Sequence, residues 1–143
     1  MAEDRRSRGL VDTSVVVDLG HTVIDDLPEE IAIAAVTLAE LAAGPHATAD
    51  PLERARRQER LQVAEATFDA IPFDAAAARA YGRVYAEVTA AGRKARGRRA
   101  LDLLIAATAL AAGLPLFTRN PSDFDGLGAL VDLNAVGAAT PGA

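Results

Sequence analysis

The feature that most constrains this chain is an alternation. Short apolar runs, most of them four residues long, take turns with longer segments of helical periodicity. Gly9-Leu10-Val11-Asp12 reads as a first strand ending on an acid, and Ser14 to Leu19 as a helix with Thr13 or Ser14 as its cap. Ile31 to Val36 reads as a second strand. Thr37 then caps a helix over Leu38 to Ala43, with Glu40 at capping-box spacing. Asp50-Pro51 opens a long helix to about Phe68, and Ala70 to Phe73 follows as a third strand. Asp74 caps a helix to about Ala91. A basic segment at 93–99 precedes an apolar helix from Ala100 to Ala112. Leu114 to Phe117 and Leu130 to Leu133 complete five strands. Strands that alternate with helices imply an α/β fold, a mostly parallel sheet of four to five strands with helices on both faces. Residues 9–133 form one domain in this reading, residues 1–8 a flexible lead and 134–143 a C-terminal tail.

Composition removes whole classes of chemistry. The 143 residues contain no cysteine, which excludes a disulfide scaffold, thiolate metal sites and a cysteine nucleophile. No apolar run approaches the length of a membrane span, and the basic start is followed by no signal-type apolar core, so a cytoplasmic location is expected. The net charge of −5 argues against a uniformly basic nucleic-acid surface. The charges are not uniform, however. Five of the 15 bases, Arg93, Lys94, Arg96, Arg98 and Arg99, fall within seven residues. That run reads either as a solvated loop or as a phosphate-binding segment. Arg119 is a further candidate for phosphate contact or for neutralising nearby acids. Arg54, Arg56, Arg57 and Arg60 interleave with Glu53 and Glu59 and read as an exposed, ion-paired helix face.

In open parallel sheets, ligands bind beyond the carboxyl ends of the strands. That rule selects four acids. Asp12 ends strand one, Glu40 lies a turn beyond strand two, Asp102 stands in the first turn of the helix before strand four, and Asp123 follows strand four. Each alone has an ordinary use, as a cap, a capping-box residue, a dipole partner or a turn residue. Together they would repel one another, and a hard divalent cation with oxygen ligands resolves such a cluster. Such sites serve phosphoryl transfer. His21 and His46 read as surface loop residues rather than an acid and base pair.

Four stretches then resemble a known family. Leu10-Val11-Asp12-Thr13-Ser14 with Asp18, Thr37-Leu38-Ala39-Glu40-Leu41, Asp102 to Ala109, and Thr118-Arg-Asn-Pro-Ser-Asp-Phe124 are similar, in order and spacing, to the four motifs of PIN domains. The small size with no appended domain is similar to the VapC toxins of bacterial type II toxin–antitoxin systems. The eight-residue lead is longer than such toxins commonly carry. The resemblance implies a three-layer α/β/α fold. It also implies a bacterial Mg²⁺-dependent endoribonuclease, with Mn²⁺ as an alternative ion, that cleaves RNA phosphodiesters by metal-activated water. Asp12, Asp102 and Asp123 would hold the metal, and Glu40 would be a ligand or outer-shell partner. Thr13, Ser14 and Thr118 would set hydroxyls near the metal or its waters, and Asn120 would orient the Asp123 loop. A homodimer and an inhibitory VapB antitoxin are implied as partners.

Other classes fit less of the sequence. A dehalogenase-type phosphotransferase needs a second Asp two residues after Asp12, where Ser14 stands. A receiver-like module needs an acid adjacent to Asp12 and a lysine near strand five, and the single lysine is Lys94. A catalytically silent PIN-like binding module remains the alternative that keeps the fold.

Overall fold

The structure, a computed structural model, describes residues 7–139. Its strands are β1 (Arg8–Val11), β2 (Glu30–Ala34), β3 (Asp69–Ile71), β4 (Leu116–Thr118) and β5 (Leu133–Ala135). Its α-helices are α1 (Thr13–Val17), α2 (Ala35–Ala43), α3 (Pro51–Thr67), α4 (Ala75–Ala90) and α5 (Arg98–Ala112). The sheet order is β3-β2-β1-β4-β5 and every pairing is parallel. β1 therefore sits at the centre, with β2 on one side and β4 on the other, where the strand order reverses. No described helix is long and apolar enough to cross a membrane.

Neighbouring residues of a strand point to opposite faces, and the core divides accordingly. Leu10, Ala34 and Leu116 pack with Val84 and Val88 of α4 and with Leu103, Ile105 and Ala109 of α5. Val11, Ile33 and Phe117 pack on the other face with Val15 and Val16 of α1, Leu41 of α2 and Ala64 of α3. The result is three layers, α/β/α. Gly9 is obligatory beside this core, because a Cβ there would stand 2.4 Å from the Phe117 ring. Gly113, at φ 68°, takes the left-handed conformation that ends α5.

Several elements depart from the sequence reading. Asp12, not Thr13 or Ser14, caps α1, since its carboxylate accepts from the Val15 N–H. A strand-end acid serves as cap when the helix starts immediately after the strand. Ala35 and Val36 belong to α2, not to β2, so Thr37 lies inside the helix and caps nothing. The cap of α2 is Ala34, with no side-chain bond. α5 begins at Arg98, so the last two bases of the 93–99 segment are helical. The apolar pair Leu130-Val131 is not strand. The Leu130 and Val131 N–H groups bond to the Leu127 carbonyl, and the turn itself buries Val131.

β5 consequently lies at 133–135, past most of the expected strand, and the expected tail is partly built in. Val136 is buried, its N–H donates to the Thr118 carbonyl, and the Ala139 N–H donates to the His21 carbonyl. At the other end β1 includes Arg8. The rest of the expected lead and tail, 1–6 and 140–143, lies outside the described residues.

Candidate active site

The parallel register decides which side chains meet. Val11 pairs with Phe117, so the next residues, Asp12 and Thr118, stand side by side at the carboxyl edge of the sheet. The Thr118 hydroxyl, fully buried, donates to Asp12 Oδ2 at 2.6 Å. Ser14 Oγ donates to Asp12 Oδ1 at 2.6 Å, and the Val15 N–H reaches the same oxygen at 3.2 Å. Asp12 is only 4% exposed. Burial pushes its carboxyl above the ordinary 3.8. The bonds from Ser14, Thr118 and Val15 oppose that shift, and repulsion from Asp123 adds to it.

The other acids arrive from separate elements. Glu40 sits on α2, whose C-terminal end is fastened by arginines of α3. Arg57 donates to the Gly44 carbonyl at 2.9 Å and Arg54 to the Pro45 carbonyl at 3.1 Å. The arginines of that helix thus do more than form the expected ion pairs along its face, of which Arg56 and Arg57 make theirs with Glu53. Asp102 stands in the first part of α5. Asp123 lies in a short 3-10 turn, Pro121–Phe124, where its N–H donates to the Asn120 carbonyl. Arg99 Nη1 donates to the Asp123 carbonyl at 3.0 Å. This bond joins the loop of Asp123 to the helix of Asp102.

All four predicted acids line one cavity of about 280 Å³. Thr13, Ser14, Val17, Asp18 and Asn120 complete its lining. The Thr13 hydroxyl donates to Glu40 Oε1 at 2.7 Å. Asn120 contributes through its backbone, since its N–H donates to Thr118 Oγ1 at 3.0 Å and its side chain caps nothing. His21 and His46 are exposed and not part of the lining.

Asp18 is a fifth acid on this wall, outside the expected set of four. Arg119 Nη1 binds it at 2.6 Å, and the Arg119 N–H donates to Ser14 Oγ at 3.2 Å. A signal for Asp18 existed in the sequence. Asp18 stands four residues after Ser14, with the first of the four PIN-like stretches.

The basic segment is divided in its contacts. Arg93 pairs with Asp125 at 2.8 Å, both about half exposed, and Arg99 is spent on the Asp123 carbonyl. Lys94 and Arg96 are exposed. The side chain of Arg98 lies outside the described residues.

The donor set suits a hard cation, being all oxygen, with one carboxylate buried against its own charge and repelled by a second. Among the described residues no three acids or histidines are already drawn together around one point. The wall is therefore open. Such a wall fits an ion that keeps several of its waters, as Mg²⁺ does.

Comparison with known proteins supplies independent findings. Residues 9–129 match the PIN domain family. Ribonuclease VapC8 of Mycobacterium tuberculosis is 38% identical over 110 residues, which are 76% of this chain and 96% of that relative. Ribonuclease VapC5 of the same organism is 36% identical over 122 residues, 83% of this chain and 87% of the relative. The crystal structure of VapBC-5 from M. tuberculosis, a member of the VapBC family of toxin–antitoxin systems, superposes with a TM-score of 0.78 at 33% identity. That match covers 92% of this chain and 98% of that chain.

Proposed function

The chain belongs to the PIN domain family, and on that premise we propose that it is the toxin of a type II toxin–antitoxin pair. In this reading it is a divalent-metal-dependent endoribonuclease, acts as a homodimer in the bacterial cytoplasm, and is silenced by a VapB-type antitoxin. The observation that carries the proposal is the meeting of Asp12, Glu40, Asp102 and Asp123 in one cavity, from four separate elements, at the carboxyl edge of the sheet. The similarity to proteins named ribonucleases, and to a toxin–antitoxin complex, supports it.

Asp12, Asp102 and Asp123 would hold the ion, Mg²⁺ or Mn²⁺, with Glu40 as a direct or water-mediated partner. When bound, such an ion neutralises the acids, supplies a water acidic enough to act as nucleophile at neutral pH, and steadies the leaving oxygen. The protein's own residues do the positioning. Ser14, Val15 and Thr118 fix both oxygens of Asp12 by hydrogen bonds, so the carboxylate cannot turn away from the cavity. Thr13 restrains Glu40 through Oε1, which leaves Oε2 for a ligand. Arg99 ties the Asp123 loop to α5 and so sets the distance between Asp123 and Asp102.

An acidic wall repels RNA, and the cations beside it offset that. Lys94 and Arg96 would take flanking phosphates. Arg93 is held only by an exposed ion pair, worth little in water, so a phosphate can displace Asp125 from it. Arg119 would meet a phosphate beside Asp18, which holds its guanidinium next to the cavity. Arg99 would act differently, through its bond to the Asp123 carbonyl.

The test uses the full chain purified free of any partner, incubated with tRNA, rRNA and synthetic RNAs. Cleavage in Mg²⁺ that stops with EDTA, and that Asp102→Ala abolishes, is the expected outcome. Intact RNA in Mg²⁺, or cleavage indifferent to EDTA, would sink the proposal.

A further inference from the structure

Thr37 was expected as a helix cap and is not one. It is the third residue of α2, it is fully buried, and its hydroxyl needs a partner. Helical threonines commonly return that proton to a carbonyl of the preceding turn. Thr108 does so to Leu104 at 2.9 Å, and Thr89 to Tyr85 at 3.1 Å. Thr37 instead meets a side chain 24 residues away, with 3.1 Å between its Oγ1 and that of Thr13.

Proton counting gives this contact a direction. Thr13 Oγ1 lies between Thr37 Oγ1 at 3.1 Å and Glu40 Oε1 at 2.7 Å, and it carries one proton. A carboxylate only accepts, and the shorter bond goes to the charged acceptor. The Thr13 proton therefore points to Glu40, and the Thr37 proton supplies the second contact. The three groups form a chain in which each bond polarises the next, Thr37 to Thr13 to Glu40. The Thr-x-x-Glu spacing puts both ends of that chain on one face of α2, and Thr13 of α1 closes it from across the gap.

We propose that Thr37 is a positioning residue of the acidic cavity. By fixing the rotor of Thr13 it holds Glu40 Oε1, and so keeps Oε2 available to a divalent cation. Thr37 touches neither ion nor RNA; it acts through Thr13. The inference rests on the reading of this cavity as a cation site.

The test is isothermal titration of Mn²⁺ into the RNA-free full chain, alongside thermal melting. The proteins compared are wild type, Thr37→Val, Thr37→Ser, Thr13→Val and the Thr13→Val/Thr37→Val double variant. Thr37→Val keeps the shape and removes only the hydroxyl. It should melt cooperatively yet bind Mn²⁺ roughly fivefold more weakly, the equivalent of one neutral hydrogen bond. Thr37→Ser, which restores the hydroxyl, should recover most of that loss. Thr13→Val should weaken binding at least as much, and the double variant should be no worse than Thr13→Val alone. Unchanged affinity in Thr37→Val, or losses that add in the double variant, overturns the relay. A wild type that takes up no Mn²⁺ overturns the cation site itself and the relay with it.

Discussion

Two concavities of this molecule share a residue and differ in almost everything else. The acid cavity has a volume of about 280 Å³. The groove between α1 and α3 is about twice as large, near 590 Å³, and is lined by Val16, Val17, Leu19, Val63, Ala64 and Phe68 together with Arg56, Glu59 and Arg60. Val17 belongs to both. In the cavity, carboxylates from distant parts of the chain converge, and one of them is buried at a cost to its own charge. In the groove, Val17 and Val63 lie open to solvent above buried Val16 and Ala64, and Arg56 pairs with Glu53 of its own helix. Size would select the groove as the place of chemistry. Electrostatic strain selects the cavity, because groups that would be more stable apart are there held together.

The widest separation between the two should appear in catalysis. Asp12→Ala or Asp123→Ala should lower kcat/KM for RNA cleavage on the order of 10³-fold, about 4 kcal/mol of transition-state stabilisation. Near wild-type turnover in either variant would show that the cavity is not where cleavage occurs.

Stability should move the other way. The raised carboxyl of Asp12 binds its proton more tightly in the folded than in the unfolded chain. The ligand-free protein therefore loses stability as pH climbs from the ordinary 3.8 through the raised folded value. Asp12→Asn removes the buried charge and keeps a side chain that can cap α1. In EDTA at pH 7 it should be more stable by about 1 kcal/mol and melt roughly 3–5 °C higher. The gap should narrow as pH falls, because the folded wild type takes up the Asp12 proton before an ordinary carboxyl would. Excess Mn²⁺ should reverse the order, since the wild type binds it more tightly and gains more from it. A variant that melts lower than wild type at pH 7 without metal would refute the view that this charge is held under strain.

A smaller effect is expected at the basic segment. Lys94→Ala combined with Arg96→Ala should weaken RNA binding a few-fold at low salt, and should reduce the slope of log K against log salt by up to about 2. An unchanged slope would return the segment to a solvated loop. The smallest effect belongs to the groove. Val63 is 54% exposed, and Val63→Asp should leave kcat/KM within about twofold and stability within about 0.5 kcal/mol. A large loss of cleavage there would erase the distinction between the two concavities.

The layered α/β architecture was legible in the sequence because hydrophobic alternation and helix stops are local signals. The four acids were legible because a parallel sheet gathers its ligands at one edge, so their order along the chain already placed them. What escaped depends on distinctions the sequence does not carry. The Thr37-x-x-Glu40 spacing is the same whether the pair closes a capping box or shares a helix face toward Thr13, and only the position of the helix start decides between them. Asp12 ends a strand and caps a helix at once, which made Thr13 and Ser14 look like better caps than they are. Leu130-Val131 is as apolar as a strand, yet a turn buries it, and the fifth strand forms two or three residues later. The Asp18 and Arg119 pair joins positions 101 residues apart, beyond the reach of any local pattern.

In the proposed reading Asp12, Glu40, Asp102 and Asp123 form one divalent-cation site. Isothermal titration of Mn²⁺ into the wild type and the four single Ala variants tests it most directly. The expected result is a binding event in the wild type that every one of the four substitutions weakens, Glu40→Ala the least, in proteins that still melt cooperatively. Two or more of the four variants that bind Mn²⁺ as the wild type does, or a wild type with no binding event, would contradict it.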